Sequence, residues 1–155
     1  MEGGRPVRRR LLAVVLVVLV VSAASLLVVD QRVRDREARA LDACATHARL
    51  AVKEADSPLY AMTAYVRPVV DKGASAWLRH SMYALVSSVA AGAGGQLAPA
   101  RSRCSDVGVW RWHHSLRDRR EACIGALDAQ AAFLRAVARD GHAVLHGSPS
   151  SVDDC

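Results

Sequence analysis

Residues 11–29 read LLAVVLVVLVVSAASLLVV, a run of nineteen residues without a charged side chain. Its only polar side chains are two serines, which can bond back to helix carbonyls. As a helix the run spans about 28 Å at 1.5 Å per residue, close to the ~30 Å hydrocarbon core of a bilayer. Because lipid offers the backbone no other hydrogen-bond partner, even a valine-rich segment is helical there. The run therefore predicts a transmembrane anchor.

Two processing signals are alternatives to an uncleaved signal-anchor. A cleaved secretory signal has an apolar region of about 7–15 residues followed by small residues. Residues 22–24 fit such a cleavage site, although residues 26–29 continue the apolar run beyond it. Two adjacent arginines before the run also loosely resemble a twin-arginine signal. The length of the run favours the uncleaved anchor.

The charges that flank the run leave its orientation nearly balanced. Four arginines precede it and four follow it before residue 40, so the positive-inside rule gives a tie. The tight cluster at residues 8–10 favours a cytoplasmic N-terminus. All four cysteines follow the run, and an even number of cysteines in a small domain suits oxidising surroundings. We therefore expect a single-pass protein of the cell membrane, with residues 1–10 as a basic cytoplasmic tail.

The rest of the sequence predicts helices, because apolar residues recur at spacings of three and four and no period-two strand pattern appears. The first helix is expected over residues 30–56, followed by a second over 58–91 with a break at 66–74. Glycines end the second helix, and a loop follows it. A third helix starts between residues 109 and 115, and Gly141 lies just after its end, before a short turn.

These elements predict an all-α fold with one N-terminal transmembrane helix, followed by a small antiparallel three-helix hairpin or bundle. Residues 30–147 form the extracytoplasmic helical domain, and residues 148–155 form a flexible C-terminal tail. A second membrane span over residues 81–100 is an alternative, since that stretch holds no charge. Its glycine, glutamine and proline residues favour a buried helix end and a loop instead.

The cysteines predict disulfide bonds. Three complete pairings are open to Cys44, Cys104, Cys123 and Cys155. If the second helix returns the chain to the membrane, Cys44 and Cys123 lie at similar heights, which predicts a bond between them. Cys104 and Cys155 then tether the tail. Each bond typically stabilises by ~2–4 kcal/mol; the alternative is free thiols buried in the core.

A metal site is another interpretation of the same half of the chain. His142 and His146 have the four-residue spacing that places two imidazoles on one helix face. No CxxC pair is present, and the segment lacks the glutamate of a zinc-hydrolase helix. Adjacent histidines such as His113 and His114 do not easily share one ion. We therefore expect no metal and no cofactor.

Arginine and tryptophan alternate in the segment that follows the predicted loop. Together they stack on bases, bind acidic partners or lie at lipid headgroups. A headgroup or partner contact is one prediction, and a core tryptophan with arginines paired to Asp118 and Glu121 is the other. Nucleic acid is not expected, because the net charge is only +6 and about half of it lies before residue 30. The candidate contact residues are Arg101, Arg103, Trp110, Arg111 and Trp112.

No catalytic motif is present: the sequence has no GxSxG, no glycine-rich phosphate loop and no paired carboxylates at a plausible site. We expect a protein-interaction or envelope-accessory role instead of an enzyme, with another membrane or envelope protein as partner. The apolar faces of the first two helices either bury each other or support a homodimer. A sensor or ligand-binding ectodomain and a small Cys/His metal-binding domain are the alternatives. The preference for arginine over lysine suggests a GC-rich, bacterial coding sequence.

Overall fold

A computed structural model describes residues 5–146 and Cys155, and the helices account for nearly all of them. No strand occurs within this described part, so the all-α prediction is confirmed. The predicted flexible tail lies outside the described residues except for Cys155, which is buried. The chain divides into two compact units, the first up to Ala38 and the second from Arg39 to Cys155. The elements are α1 (Arg5–Asp71), α2 (Ala76–Gly94), α3 (Leu97–Ser105), α4 (His114–Arg139) and a 3-10 helix (Gly141–His146).

The first unit exposes its apolar run. Every side chain from 11 to 29 is exposed, and the leucines and valines among them are 52% to 71% exposed. Within the described residues, α1 is the one helix long and apolar enough to cross a membrane. Apolar surface of this extent, without a protein partner, is typical of a membrane or protein contact and not of a surface in water.

In the second unit α1 continues through a proline, where the sequence predicted a stop. The prediction of separate helices over 30–56 and 58–91 is wrong, because Pro58 lies inside α1. A proline removes one backbone hydrogen bond of the helix. Ala55 and Leu59, on either side of it, are 0% and 3% exposed, and tertiary packing of this face outweighs the local cost.

The break between α1 and α2 lies at residues 72–75, at the far edge of the predicted interval. Gly73 has a φ of +80°, which glycine adopts without a Cβ penalty, and its N–H donates to the Val70 carbonyl at 3.1 Å. The hydroxyl of Ser75 then accepts from the backbone N–H of Leu78 at 3.3 Å and caps α2. The break therefore depends on Gly73 and Ser75, and not on Pro68.

A further helix, α3, occupies the segment that the sequence predicted to be a loop. Pro99 falls in its first turn, where a backbone N–H has no partner within the helix, so it does not interrupt the element. Leu97, Ala100 and Cys104 are buried at spacings of three and four, and they form its one core-facing side. The loop prediction is wrong because it gave more weight to the glycine and proline residues than to the three apolar residues at helical spacing.

The second unit is a helical bundle whose core matches the predicted apolar faces. α2, α3 and the 3-10 helix all pack on α4. The buried residues of α4 include Cys123, Leu127, Leu134 and Val137, whose spacing is that of one helical face. On α2, Val86 is buried, whereas Trp77 and Leu85 are exposed. The buried face of α1 consists of Leu41, Cys44, Ala45, Ala48, Ala51, Val52, Ala55, Leu59 and Val66.

The 3-10 helix lies directly on α2, which explains the glycine that starts it. A Cβ at Gly141 would overlap the backbone carbonyl of Tyr83. The next residue, His142, stacks its ring on that of Tyr83, with the centroids 3.6 Å apart. The predicted short turn after α4 is therefore a packed element of the bundle.

Candidate functional site

The disulfide joins different cysteines from those predicted. Cys44 on α1 is bonded to Cys104 on α3, with the two Cα atoms 5.1 Å apart. The presence of a disulfide is confirmed, whereas the pairings of Cys44 with Cys123 and of Cys104 with Cys155 are wrong. The reason is α3: its buried face brings Cys104 to α1, and no such helix was expected between the second and third predicted helices.

The other two cysteines are reduced, buried and in contact. Cys123 on α4 is 1% exposed and Cys155 is 4% exposed. The Cys123 thiol is a neighbour of the Cys155 thiol, and burial, with a smaller contribution from this neighbour, raises the pKa of the Cys155 thiol to about 12. Burial disfavours the charged thiolate, so the Cys155 thiol is protonated at neutral pH.

Arg119 connects α4 with α1 and with Cys155. Its Nε donates to the backbone oxygen of Cys155 at 2.6 Å, and its Nη1 lies 2.8 Å from Oδ1 of Asp42. Arg119 and Cys123 are one turn apart on α4, so both act on the same face. Cys155 is therefore held through its backbone and its thiol by a single turn of α4.

The predicted tryptophans lie in the loop between α3 and α4, residues 107–113, which we call the Trp loop. The indoles of Trp110 and Trp112 meet edge to face, with centroids 4.8 Å apart and an interplanar angle of 74°. They are 40% and 55% exposed, so the alternative of a core tryptophan is wrong. His113, for which the sequence suggested a role only as a metal ligand, is buried beside Trp110.

Arginines of α4 hold the backbone of the Trp loop. Nη1 of Arg120 donates to the carbonyl of Val107 at 3.1 Å, and Nη1 of Arg117 donates to the carbonyl of Arg111 at 3.4 Å. The second amino group of Arg120 also pairs with Glu121 at 2.7 Å. The loop thus presents two indoles on a backbone that is held at its first residue and between the two tryptophans.

The predicted arginines do not form one cluster with these tryptophans. Arg101 on α3 makes two bonds to the carboxylate of Asp128 on α4, at 2.5 Å from Nε and 3.1 Å from Nη2. This pairing lowers the pKa of Asp128, and both side chains are about half exposed. Arg101 therefore links two helices, whereas Arg103 and Arg111 are exposed.

A polar contact that was not predicted from the sequence lies between α1 and α4. Gln130 is fully buried, and its Nε2 donates to Oδ1 of Asp56 at 2.5 Å. Burial raises the pKa of Asp56, and the hydrogen bond from Gln130 opposes that shift. The signal was present in the sequence, because Gln130 lies seven residues after Cys123 within the apolar stripe of α4.

No group of three or more His, Cys, Asp or Glu side chains that could hold a metal ion occurs within the described residues. The ring of His142 is instead stacked on Tyr83. The side chain of His146 lies outside the described part of the chain, so the pairing suggested by the histidine spacing is a sequence hypothesis only.

No protein-family model, curated protein or solved structure matches the chain. A function for this molecule must therefore be argued from the exposed apolar run, the disulfide and the Trp loop.

Proposed function

We propose that the chain is a single-pass membrane-anchored protein. Residues 11–29 are the anchor, the N-terminus is cytoplasmic, and the second unit is an extracytoplasmic helical domain. This domain serves a protein-interaction or envelope-accessory role without catalysis. The observation that carries the proposal is the contrast between an apolar helical segment exposed on every side and a second unit with its own closed core.

The disulfide supports the location of the second unit. Cys44 and Cys104 are 3% and 0% exposed, and their bond ties two helices of the core together. Structural disulfides form and persist in oxidising compartments and are rare in the cytosol. The side of the membrane that carries the cysteines is therefore the extracytoplasmic one in this proposal.

The Trp loop is the part of the domain that we propose contacts a partner, which is another membrane or envelope protein. Tryptophan and arginine are the residues most enriched among those that dominate binding energy at interfaces. Because Arg117 and Arg120 hold the loop backbone, little ordering entropy is lost when a partner binds. The exposed Arg111 between the two indoles favours an acidic or carbonyl-rich partner surface.

Topology is tested with introduced cysteines, since the natural ones are buried or bonded. Ser57→Cys, at an exposed position of the second unit, is compared with Gly3→Cys before the anchor, each in a Cys123→Ser, Cys155→Ser background. In intact bacterial cells we expect a membrane-impermeant maleimide to label the first and to reach the second only after lysis. The reverse pattern overturns the proposed orientation. The mass of the purified protein separates the uncleaved anchor from a cleaved signal.

The partner contact is tested by photo-crosslinking in membranes. A photoreactive phenylalanine replaces Trp112, and a control protein carries it at Trp77, which is 76% exposed on α2. We expect a discrete adduct to a second protein from position 112 and none from position 77. Equal adducts from both positions contradict a specific surface. An adduct of twice the chain mass indicates the homodimer, and an adduct to lipid alone indicates a headgroup contact.

A further inference from the structure

Cys123 and Cys155 form a thiol pair that the proposed function does not use. The two thiols are neighbours in the fold, and their side chains are 1% and 4% exposed. A buried thiol packs as a small apolar residue and needs no partner of its own kind. Packing alone therefore does not explain why two buried thiols that are 32 residues apart in the sequence lie next to each other.

The backbone around Cys155 is fixed so that its thiol meets Cys123. Nε of Arg119 donates to the Cys155 backbone oxygen at 2.6 Å, one turn before Cys123 on the same helix. The other end of the Arg119 guanidinium pairs with Asp42 on α1, which limits where the arginine can move. The two thiols are thus brought together by a charged contact that lies outside the thiol pair itself.

We propose that Cys123 and Cys155 are a redox modification site, which a disulfide-class oxidant converts into a second disulfide of the domain. The bond fastens the segment that ends at Cys155 to α4, whereas the Cys44–Cys104 bond fastens α3 to α1. The two thiols are already neighbours in the dithiol state, so the bond joins groups that the fold has brought together. The site therefore has two states, a dithiol and a disulfide, and only the disulfide links the segment covalently to α4.

The reaction balances with an external disulfide such as oxidised glutathione. One cysteine loses its proton, its thiolate attacks the external disulfide, and one molecule of glutathione thiolate leaves. The second cysteine, as thiolate, then attacks the mixed disulfide and releases the second glutathione. Two electrons pass from the cysteine pair to the oxidant, and the two protons are taken up by the leaving thiolates.

The chemical environment makes this reaction slow at neutral pH. Burial raises the pKa of Cys155, while the nearby Arg49 and Arg119 act in the opposite direction. Attack requires the thiolate, so the rate of oxidation rises with pH. Both thiols are also almost covered, so a small oxidant reacts faster than a protein oxidant in the folded domain.

Trypsin makes the test unambiguous, because cleavage after arginine places each cysteine in a different peptide: 40–49, 104–111, 121–135 and 140–155. The purified full chain is incubated in detergent with oxidised glutathione, alkylated, digested without reductant and analysed by mass spectrometry. We expect peptide 121–135 linked to 140–155 and peptide 40–49 linked to 104–111. Alkylated Cys123 and Cys155 after full oxidation, or peptide 104–111 linked to 140–155, overturns the proposal.

A second variant tests whether Arg119 positions the thiol pair. Arg119→Ala removes a charged hydrogen bond to Cys155, and we expect roughly tenfold more oxidised glutathione for half-oxidation. Arg117→Ala removes another arginine of α4, whose contact is with the Trp loop, and it should leave the oxidation unchanged. Equal oxidation in both variants contradicts the positioning role of Arg119. Because the assay uses purified protein, its outcome is independent of the membrane topology.

Discussion

Residues 11–29 and residues 39–71 belong to the same helix, α1, yet their sequences follow different rules. In the first segment leucine and valine occupy every face of the helix, and all of their side chains are exposed. In the second, the buried residues keep to one face, where alanine is the commonest type. One-sided apolarity indicates packing against other helices, whereas apolarity on all sides is typical of a segment that could span a membrane. The spacing of apolar residues therefore distinguishes two segments of one continuous helix.

The largest expected effect comes from removing the disulfide that links the buried face of α1 to α3. Cys44→Ser combined with Cys104→Ser opens a crosslink between residues 60 positions apart, which costs about 4 kcal/mol of unfolding free energy in the chain-entropy description. We expect denaturant unfolding at correspondingly lower concentration. Reductant should bring the wild-type protein to the stability of the variant. Equal stability without reductant contradicts a structural role for this bond.

A charged residue within residues 11–29 tests whether this segment is the membrane anchor. Val20→Arg places a guanidinium near the centre of residues 11–29, where insertion is opposed by roughly 2.5–3.5 kcal/mol. We expect a large fraction of the protein to leave the membrane pellet after alkaline extraction. Leu50→Arg, at a site 52% exposed on the second part of the same helix, is the control and should remain in the pellet. Equal extraction of both variants argues against residues 11–29 as the anchor.

Replacing one alanine by leucine in each segment of α1 tests whether that segment packs against protein. Ala48 is fully buried on α1, so Ala48→Leu overpacks the core and should lower the unfolding free energy by about 1–3 kcal/mol. Ala13→Leu, in the exposed run, adds the same atoms with no neighbour to displace and should leave that value unchanged. Denaturant unfolding followed by circular dichroism measures both. A stability loss from Ala13→Leu would show that the run packs against protein.

The sequence predicted the periodic features of the fold and missed those that depend on tertiary contacts. Apolar spacing identified the core faces of α1 and α4, and Gly141 correctly followed the end of α4. Local signals failed at Pro58, where packing on both sides keeps the helix, and at Pro99, which is tolerated in a first turn. Because α3 was missed, the disulfide partner of Cys44 was missed as well.

Of the candidate site, the sequence identified Trp110 and Trp112 as candidate contact residues and did not predict the arginine partners. Alternating arginine and tryptophan left a core position and an exposed contact both open, and the measured exposure decides between them. The assignment of Arg101 depends on Asp128, which is 27 residues away and one helix further on. The contact of Gln130 with Asp56 spans 74 residues, and no local pattern reports the distance between two such groups. Spacing rules therefore cannot predict which polar residues pair when they are far apart in the sequence.

The smallest expected effect comes from the buried contact between Gln130 and Asp56. It is measured as the pH dependence of the unfolding free energy. The pKa of Asp56 is raised in the folded state by burial, so the folded protein holds this proton more tightly than the unfolded chain. Its contribution to stability is present below the ordinary pKa of 3.8 and is lost as the pH rises through the raised value. Asp56→Asn keeps an oxygen for Gln130 without the charge. We expect it to be more stable than wild type at neutral pH, by under about 1 kcal/mol.

Asp128 provides a matched variant of opposite sign. Its pKa is lowered by Arg101, so its contribution is present above the ordinary pKa and is lost as the pH falls through the lowered value. Asp128→Asn should therefore reduce stability at neutral pH and have little effect in acid, whereas Asp56→Asn removes a loss that develops above pH 4. Unfolding free energies measured at several pH values separate the two curves. If Asp56→Asn destabilises the neutral protein, the carboxylate of Asp56 is stabilised by its partners more than it is penalised by burial.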